Sequence, residues 1–529
     1  MINKLLDRLG FDRSVPVSAI DDWELPTATR TTPLAPRGAT ATCLVDDRGR
    51  VQPADARFAI DWTLAAGARW VSSIAAERVE QQMVAPAVVE TTVQTPSGPV
   101  VQRVGAAVVD GQPVAIVEIE NTGGVAIAVG LVVRPVTIDG RGFAGSARVD
   151  ASSISVDGRT AVRFAHAPAA TAVSDGSTDL LAALPDPTRS STAAQATSRA
   201  GAAQACAVFP LPHTATLRFV VELAGSTRAG AAVPTLEDVQ RGWARHLDDG
   251  MRVSVSGSAI DDRLSVAARS VLTQWPAPSD VQATITALAE AGFGMDVPRL
   301  FEAGDLDRCD DQVGLVLSIA RWWQLAGSTE SELDKVALAS IIGPVARGVH
   351  ELRSSATLNG ERWALPALVA LADGLGAIDQ PDVADGLDQL AVVTRQADRL
   401  AQRSLDLKAL QPGSVDPLVL GVDRLPEAVR TILGTRALLV DDGESSVDLL
   451  VNLPASWRGE SLEVMNVPVS EGRLSFGVRW HGPRPALLWQ IDTDSTLPFA
   501  ITATSIDPEF RSNEPEGEVL LADPGWPQP

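Results

Sequence analysis

The hydrophobic period of this chain changes twice along its length, and these changes limit the folds open to it. Between residues 39 and 225, segments such as AVVETTVQTPSG and QPVAIVEIENTGG are rich in β-branched residues and end at Gly, Pro, Asp or Asn. From about residue 257, apolar residues recur at the spacing of one helical face. Strand-type segments return near residue 435. Strands followed by a block of helices predict separate β and all-α domains.

The length of 529 residues is too great for a single hydrophobic core. Asp-Gly pairs at turn positions favour hairpins, so the first β-domain is predicted to be a large antiparallel sandwich. Shifts in composition predict seven segments. These are an N-terminal arm (1–38), the β-sandwich (39–225), a linker with a helix (226–256), a helical-hairpin domain (257–410), a second linker (411–434), a small C-terminal β-domain (435–506) and an acidic, Pro-rich tail (507–529).

Charge and cysteine content exclude several classes of partner and cofactor. A net charge of −22 argues against nucleic acid and against anionic membranes, because both bind basic surfaces. Cys43, Cys206 and Cys309 are far apart and join no Cys/His cluster, so neither a metal site nor a disulfide framework is predicted. The sequence lacks the apolar stretch of a signal peptide and any run of about 18 apolar residues. We therefore expect a soluble, cytoplasmic protein without a metal or other cofactor.

The segment from Cys309 to Arg353 has the pattern of one helical hairpin. Asp310 and Asp311 stand where they can cap the first helix and complement its dipole. Five apolar residues then follow the spacing of a buried face: Leu315, Ile319, Trp322, Trp323 and Ala326. Gly327 ends that helix, and a second amphipathic helix follows. The sequence contains no phosphate-binding P-loop, dinucleotide fingerprint, GxSxG elbow or HExxH motif, which excludes the enzyme classes built on them.

Three stretches carry a resemblance to a known family: VVETTVQTPSGPVVQRVGAAVVDGQPVAIVEIENTGG, DDQVGLVLSIARWWQLAGS with GPVARGVHELR, and NLPASWRGESLEVMNVPVSEGRLSFGVRWHGP. They resemble six-hairpin (α/α)-toroid glycosidase-like proteins, the group that includes glucoamylases and trehalose or maltose phosphorylases. The resemblance implies an N-terminal antiparallel β-supersandwich, an (α/α) toroid and a small C-terminal β-domain. A closed ring needs about twelve helices, whereas this chain has room for about seven or eight of average length. We therefore expect a partial toroid.

The resemblance also implies where an active site would lie, namely at loops at the mouth of the ring. Glu361, in the irregular loop LNGERW, is the candidate general acid. Its candidate partner carboxylates are Asp305 and Asp311, which lie in the acidic loop FEAGDLDRCDDQ, and Asp310 is a candidate for binding sugar hydroxyls. The alternative interpretation of these acids is helix capping and a solvated surface.

Tryptophans near this loop are candidates for stacking on sugar rings: Trp322, Trp323 and Trp363. Trp322 and Trp323 are adjacent, so their side chains point about 100° apart on a helix, and at most one is expected to face a cleft. The alternative interpretation is packing between hairpins.

Two functions follow from the sequence. The first is a non-catalytic carbohydrate-binding or assembly protein derived from this architecture, which the shortened ring favours. The alternative is a glycoside hydrolase or phosphorylase acting on a glucan or disaccharide through a pair of carboxylates. The sequence leaves open whether the protein is an enzyme, and a carbohydrate is the expected ligand in either case.

Overall fold

A computed structural model of the chain describes most of its residues and divides it into two compact units, Met1–Trp243 and Ala244–Pro529. The residues described are 30–39, 41–66, 69–74, 76–138, 140–177, 180, 195–228, 230–277, 279–302, 305–309, 311–327, 331–354, 364–385, 387, 424–443, 446–493 and 499–526. Labels below number the described strands and α-helices in chain order.

The first unit contains two large antiparallel sheets. One has the order β1-β2-β3-β4-β10-β18-β16, with β5 also paired to β4; the other has the order β17-β13-β14-β15-β19-β9-β8-β7-β6. The strands are β1 (Thr31–Leu34), β2 (Cys43–Asp46), β3 (Val51–Pro53), β4 (Ala59–Ala66), β5 (Arg69–Ser72), β6 (Val79–Ala85), β7 (Val88–Thr95), β8 (Gly98–Val109), β9 (Gln112–Asn121), β10 (Ile127–Arg134), β11 (Val136–Thr137), β12 (Gly140–Arg141), β13 (Ser146–Val149), β14 (Ser153–Val156), β15 (Arg159–Phe164), β16 (Ala170–Ser174), β17 (Gln195–Thr197), β18 (Gln204–Leu211) and β19 (Thr216–Glu222).

Alternation along these strands separates an apolar core from a charged outer face. Val89, Val104 and Val117 are fully or nearly buried in a core to which both sheets contribute. On the opposite face, the register places Glu90 beside Arg103 across β7 and β8, with 2.8 Å between Oε2 and Nε. Such cross-strand pairs fix the register, because a slip of one residue would exchange the two faces.

A cluster of buried charges lies within this apolar unit. Asp46, at the end of β2, accepts hydrogen bonds from the backbone N–H of Arg50 at 2.7 Å and from its Nε at 3.0 Å. Asp61 accepts from Arg134 at 3.2 Å and lies 3.9 Å from Nε of Arg50. All four side chains are shielded from solvent. Burial raises the pKa of Asp46 to about 6, although the charge of Arg50 acts to lower it.

The second unit combines helices with two β-sheets. The helices are α1 (Leu236–Asp248), which begins in the first unit, α2 (Ile260–Thr273), α3 (Val281–Glu290), α4 (Pro298–Glu302), α5 (Gln312–Ala326), α6 (Glu332–Ser340), α7 (Ile342–Ser354), α8 (Ala364–Ala377) and α9 (Leu425–Leu439). The strands are β20 (Arg252–Val255), β21 (Val440–Asp442), β22 (Ser446–Leu449), β23 (Leu462–Val469), β24 (Gly472–His481), β25 (Arg484–Asp492), β26 (Ala500–Ala503), β27 (Asp507–Ser512) and β28 (Glu516–Leu520). One sheet has the order β20-β23-β24-β25-β28 and the other β21-β22-β26-β27.

The coarse prediction of a multidomain β plus α fold is confirmed, while a partial toroid stays a prediction. Local boundaries differ from the expected ones in several places. The predicted linker 226–256 also contains strand β20, which pairs with β23. The predicted acidic tail contains β27 and β28, which pair with β26 and β25. Helix α9 occupies the second half of the predicted linker 411–434 and continues into the predicted strand after it.

The predicted second helix of the hairpin is interrupted at Ile341, between α6 and α7. Pro344 explains this break, because its ring lacks an N–H and clashes with the carbonyl of Ser340, four residues before it. None of the helices described by the structure is long and apolar enough to span a membrane.

Candidate functional site

The structure describes only part of the site predicted from the sequence. Glu361, Trp363 and Asp310 lie outside the described residues. Asp305 begins a short 3-10 turn, Asp305–Arg308, but its side chain is also outside the description. The side chains that remain are those of Asp311, Trp322 and Trp323, which all belong to α5 or its cap.

Asp311 is the N-cap of α5. Its Oδ1 accepts a hydrogen bond from the backbone N–H of Gly314 at 2.8 Å, which satisfies one of the free donors of the first turn. Its Oδ2 accepts a hydrogen bond from Nε2 of Gln282, on α3, at 3.3 Å. The carboxylate is exposed, yet both of its oxygens are engaged in starting α5 and connecting it to α3.

Trp322 and Trp323 lie at the other end of the same helix and are covered by protein. They are 1% and 5% exposed, and their rings meet edge to face at 5.8 Å. Nε1 of Trp322 donates to the carbonyl of Gly294 at 2.8 Å, while its ring contacts Phe301 at 5.1 Å. The buried rings are packed as the alternative interpretation describes.

The structure does not bring the capping acid and the tryptophan pair together. Asp311 and Trp322 are eleven residues apart along α5, which at 1.5 Å per residue separates their backbones by about 16 Å. A single monosaccharide cannot contact both. The stacking role proposed for Trp322 and Trp323 stays a prediction, and it requires their rings to be uncovered.

A buried network of charges next to Trp322 was not predicted from the sequence. Arg321 donates to both carboxylate oxygens of Asp442, on β21, at 2.7 and 3.0 Å, and its Nε donates to Glu290, on α3, at 3.3 Å. Arg436, on α9, donates to the same Asp442 at 2.9 Å and to the carbonyl of Pro468 at 2.9 Å. The network therefore connects three helices, α3, α5 and α9, to both β-sheets of this unit.

Electrostatics in this network fix the protonation of Asp442. Its burial opposes ionisation, but the positive charges of Arg321 and Arg436 outweigh burial and hold the pKa of Asp442 well below its usual range. Asp442 is thus an anion at any physiological pH. Arg321 and Asp442 are 121 residues apart in the sequence, so their pairing leaves no local signal.

This unit contains two further half-buried ionisable groups, His246 and Asp261. His246, on α1, lies 3.7 Å from a carboxylate oxygen of Asp296, and its ring packs on Phe293 at 5.2 Å. Asp261, in the first turn of α2, is half-buried, and burial raises its pKa although the charge of Arg252 lowers it. A raised pKa is the direction that a general acid requires. Within the described residues, no group of three or more metal-ligating side chains is placed to hold an ion.

Comparisons with known proteins give only remote similarity. No family model matches this chain, and no curated protein matches it. Among solved structures, it is similar to a bacterial glucoamylase complexed with acarbose, with a TM-score of 0.43 and 9% identity over 70% of this chain and 67% of that one. It is also similar to a glycosyl hydrolase of family GH92, with a TM-score of 0.38 and 11% identity over 78% and 72% of the chains.

A third similar structure is the family GH92 α-mannosidase of Bacteroides thetaiotaomicron in complex with mannoimidazole. Its TM-score is 0.37 at 9% identity, covering 68% of this chain and 56% of that one. At these scores the similarities establish neither a shared architecture nor an activity for this chain.

Proposed function

We propose that this protein is a non-catalytic carbohydrate-binding or assembly protein whose architecture derives from that of six-hairpin glycosidases. The observation that carries the proposal is the engagement of Asp311, one of the predicted partner carboxylates. A glycosidase needs a protonated acid and a second carboxylate on opposite sides of one cleft. Asp311 instead caps a helix and accepts a hydrogen bond from a neighbouring helix.

The buried acids near the tryptophans support the same proposal. Glu290 and Asp442 both accept from Arg321, and the pKa of Asp442 is lowered rather than raised. A general acid must carry its proton near the working pH, so a carboxyl with a lowered pKa is unsuited to that role. In this proposal, Trp363 and Asp310 remain the predicted sugar contacts, since the rings of Trp322 and Trp323 are already covered.

The raised pKa of Asp261 favours the second candidate function, a glycoside hydrolase or phosphorylase. In that version Glu361 is the acid and Asp305 its partner, as the sequence predicts, and Asp261 is an additional candidate acid. The two functions make opposite predictions about turnover, so one experiment separates them.

The experiment measures binding and turnover with the same ligands on the full chain. We expect trehalose, maltoheptaose or another member of a glucan panel to raise the melting temperature, because a ligand of the folded state at 100 times its Kd stabilises it by about 2.7 kcal/mol. We expect no release of reducing sugar and, with inorganic phosphate added, no sugar phosphate.

Glu361→Gln and Asp261→Asn serve as matched variants, since each removes one ionisable proton with little change in shape. Under the proposal, both bind the same sugars as the wild type. Turnover by the wild type that is lost in Glu361→Gln or Asp261→Asn would instead identify an enzyme and its acid. A panel with neither binding nor turnover would eliminate both carbohydrate versions.

A further inference from the structure

Three side chains form a compact cluster at one end of the five-stranded sheet. The guanidinium carbon of Arg458 lies 4.3 Å from the ring centroid of Trp526, and the ring of Trp480 lies 6.0 Å from the same ring at an angle of 46°. All three residues are half-buried. Each comes from a different part of the chain, so the cluster exists only in the folded second unit.

The segment that carries Trp526 is attached at its start. After β28, the backbone N–H of Leu521 donates to the carbonyl of Pro485 at 2.9 Å, and Nε of Arg484 donates back to the carbonyl of Leu521 at 2.8 Å. The next residue is attached as well, because the backbone N–H of Ala522 donates to Oδ2 of Asp507 at 2.8 Å. Residues 521–526 contain no helix or strand. Beyond Ala522, Trp526 is held chiefly by its own ring contacts with Arg458 and Trp480.

Two donors in this cluster are shielded from solvent without an acceptor. In the described part of the chain, neither Nε1 of Trp480 nor Nε of Arg458 has a hydrogen-bond partner. A shielded donor without a partner disfavours the arrangement that buries it, by a factor of about 5 to 150 in population. Trp526 contacts both of these side chains, so we expect its departure to let water reach them. The covered arrangement is thus stabilised by ring contacts and opposed by two unsatisfied N–H groups.

We propose that Trp480 and Arg458 form a sugar-binding platform that Trp526 covers in the free protein. The ligand must offer an apolar face to an indole ring and hydrogen-bond acceptors to two nearby N–H groups. A pyranose ring has both, in its C–H face and its hydroxyl oxygens. Anionic ligands fit less well, because the protein carries a net charge of −22. This inference rests on the proposed carbohydrate-binding function and names a site for it.

The test compares the affinities of four proteins for maltoheptaose and cellohexaose by calorimetry. Trp526→Ala removes the cover, so we expect about tenfold tighter binding, because the competent fraction rises towards one. Trp480→Ala removes the platform and is expected to abolish binding. Trp275→Ala is the matched control: it removes an indole that is 38% exposed elsewhere in the same unit, and its affinity should equal that of the wild type.

A second measurement follows the cover itself by hydrogen exchange of residues 521–526. Saturating sugar should accelerate exchange there, since the ligand takes the place of Trp526. Equal sugar binding by the wild type, Trp480→Ala and Trp526→Ala would overturn the platform but leave a sugar-binding function elsewhere. If neither maltoheptaose nor cellohexaose binds Trp526→Ala, the platform is also overturned. The proposed function is tested separately, by binding of the whole glucan panel to the wild type.

Discussion

Asp442 shows at the scale of one residue how partners decide what an acid does. Two guanidinium groups surround it, so it is an anion that holds helices and strands together. Asp311, one of the three acids that the sequence singles out, is exposed and caps a helix. Both residues are aspartates, and the residue type alone does not show which role each one has. The capping role of Asp311 can be predicted from its place before α5, whereas the role of Asp442 depends on partners that are distant in the sequence.

Replacing Asp442 by Asn tests this account. The change leaves Arg321 and Arg436 buried beside a neutral amide, and loss of one partner of a buried ion pair costs about 3–5 kcal/mol. We expect the free energy of unfolding of the second unit to fall by that amount in a urea titration followed by hydrogen exchange. Asp492→Asn, an exposed change on β25, should stay within about 0.5 kcal/mol of the wild type. Similar losses in both variants would contradict the role of Asp442.

At the scale of elements, the side chain of Trp323 forms the contact between α5 and α8. A Cβ atom built at Gly374, on α8, would lie 2.4–2.7 Å from three atoms of the Trp323 indole. The indole therefore packs directly on the backbone of α8, which only a glycine allows. The tryptophan that the sequence offers for a sugar is a contact between helices.

Two glycines of α8 make a matched pair for this contact. Gly374→Ala should destabilise the second unit by about 1–3 kcal/mol, because the rigid indole of Trp323 must move. Gly376→Ala, two residues on, meets nothing within 4 Å and should stabilise the helix by about 0.5–1 kcal/mol. Thermal unfolding of the two variants beside the wild type measures both effects. A stabilising Gly374→Ala would show that Trp323 does not pack on α8 in solution.

The elements that could be predicted from the sequence are those with their own local pattern. β7, β8 and β9 alternate, and α5 has a long apolar face with a capping acid. The pairing of β20 with β23 and the strand β28 were missed, because both strands are short and each is stabilised by a strand that is not its neighbour in the sequence. The interruption at Ile341 was missed because the apolar spacing continues past Pro344, which breaks the helix by backbone sterics.

At the scale of the whole molecule, the two units carry buried acids with opposite pKa shifts. Asp46, in the first unit, has its pKa raised from 3.8 to about 6, so its protonated form is favoured by folding. Its contribution to the free energy of unfolding is greatest below pH 3.8 and is lost as pH rises through about 6. The shift in pKa corresponds to a loss of about 3 kcal/mol. Asp442, in the second unit, has a lowered pKa, so its contribution is present at neutral pH and is lost as pH falls below about 3.9.

Hydrogen exchange on the full chain, corrected for intrinsic rates, can follow each unit across pH. In the wild type, Asp46 makes the free energy of unfolding of the first unit decline between pH 4 and 6. Asp46→Asn should remove this part of the decline, so the free energy of unfolding should depend less steeply on pH in the variant. The pH dependence of the free energy of unfolding of the second unit should be the same in this variant as in the wild type. An unchanged slope in the first unit would show that Arg50 keeps Asp46 ionised throughout.

The sequence by itself determined the order of β, helical and β segments, the acidic surface and the cap of α5, because each depends on composition or on residues a few positions apart. It also supplied the residue types of a candidate site. The tertiary structure decided which of those residues are available. It buried Trp322 and Trp323, engaged Asp311, joined Arg321 to Asp442 and brought Trp526 onto Trp480. These outcomes depend on contacts across tens to more than a hundred residues, which no local pattern encodes.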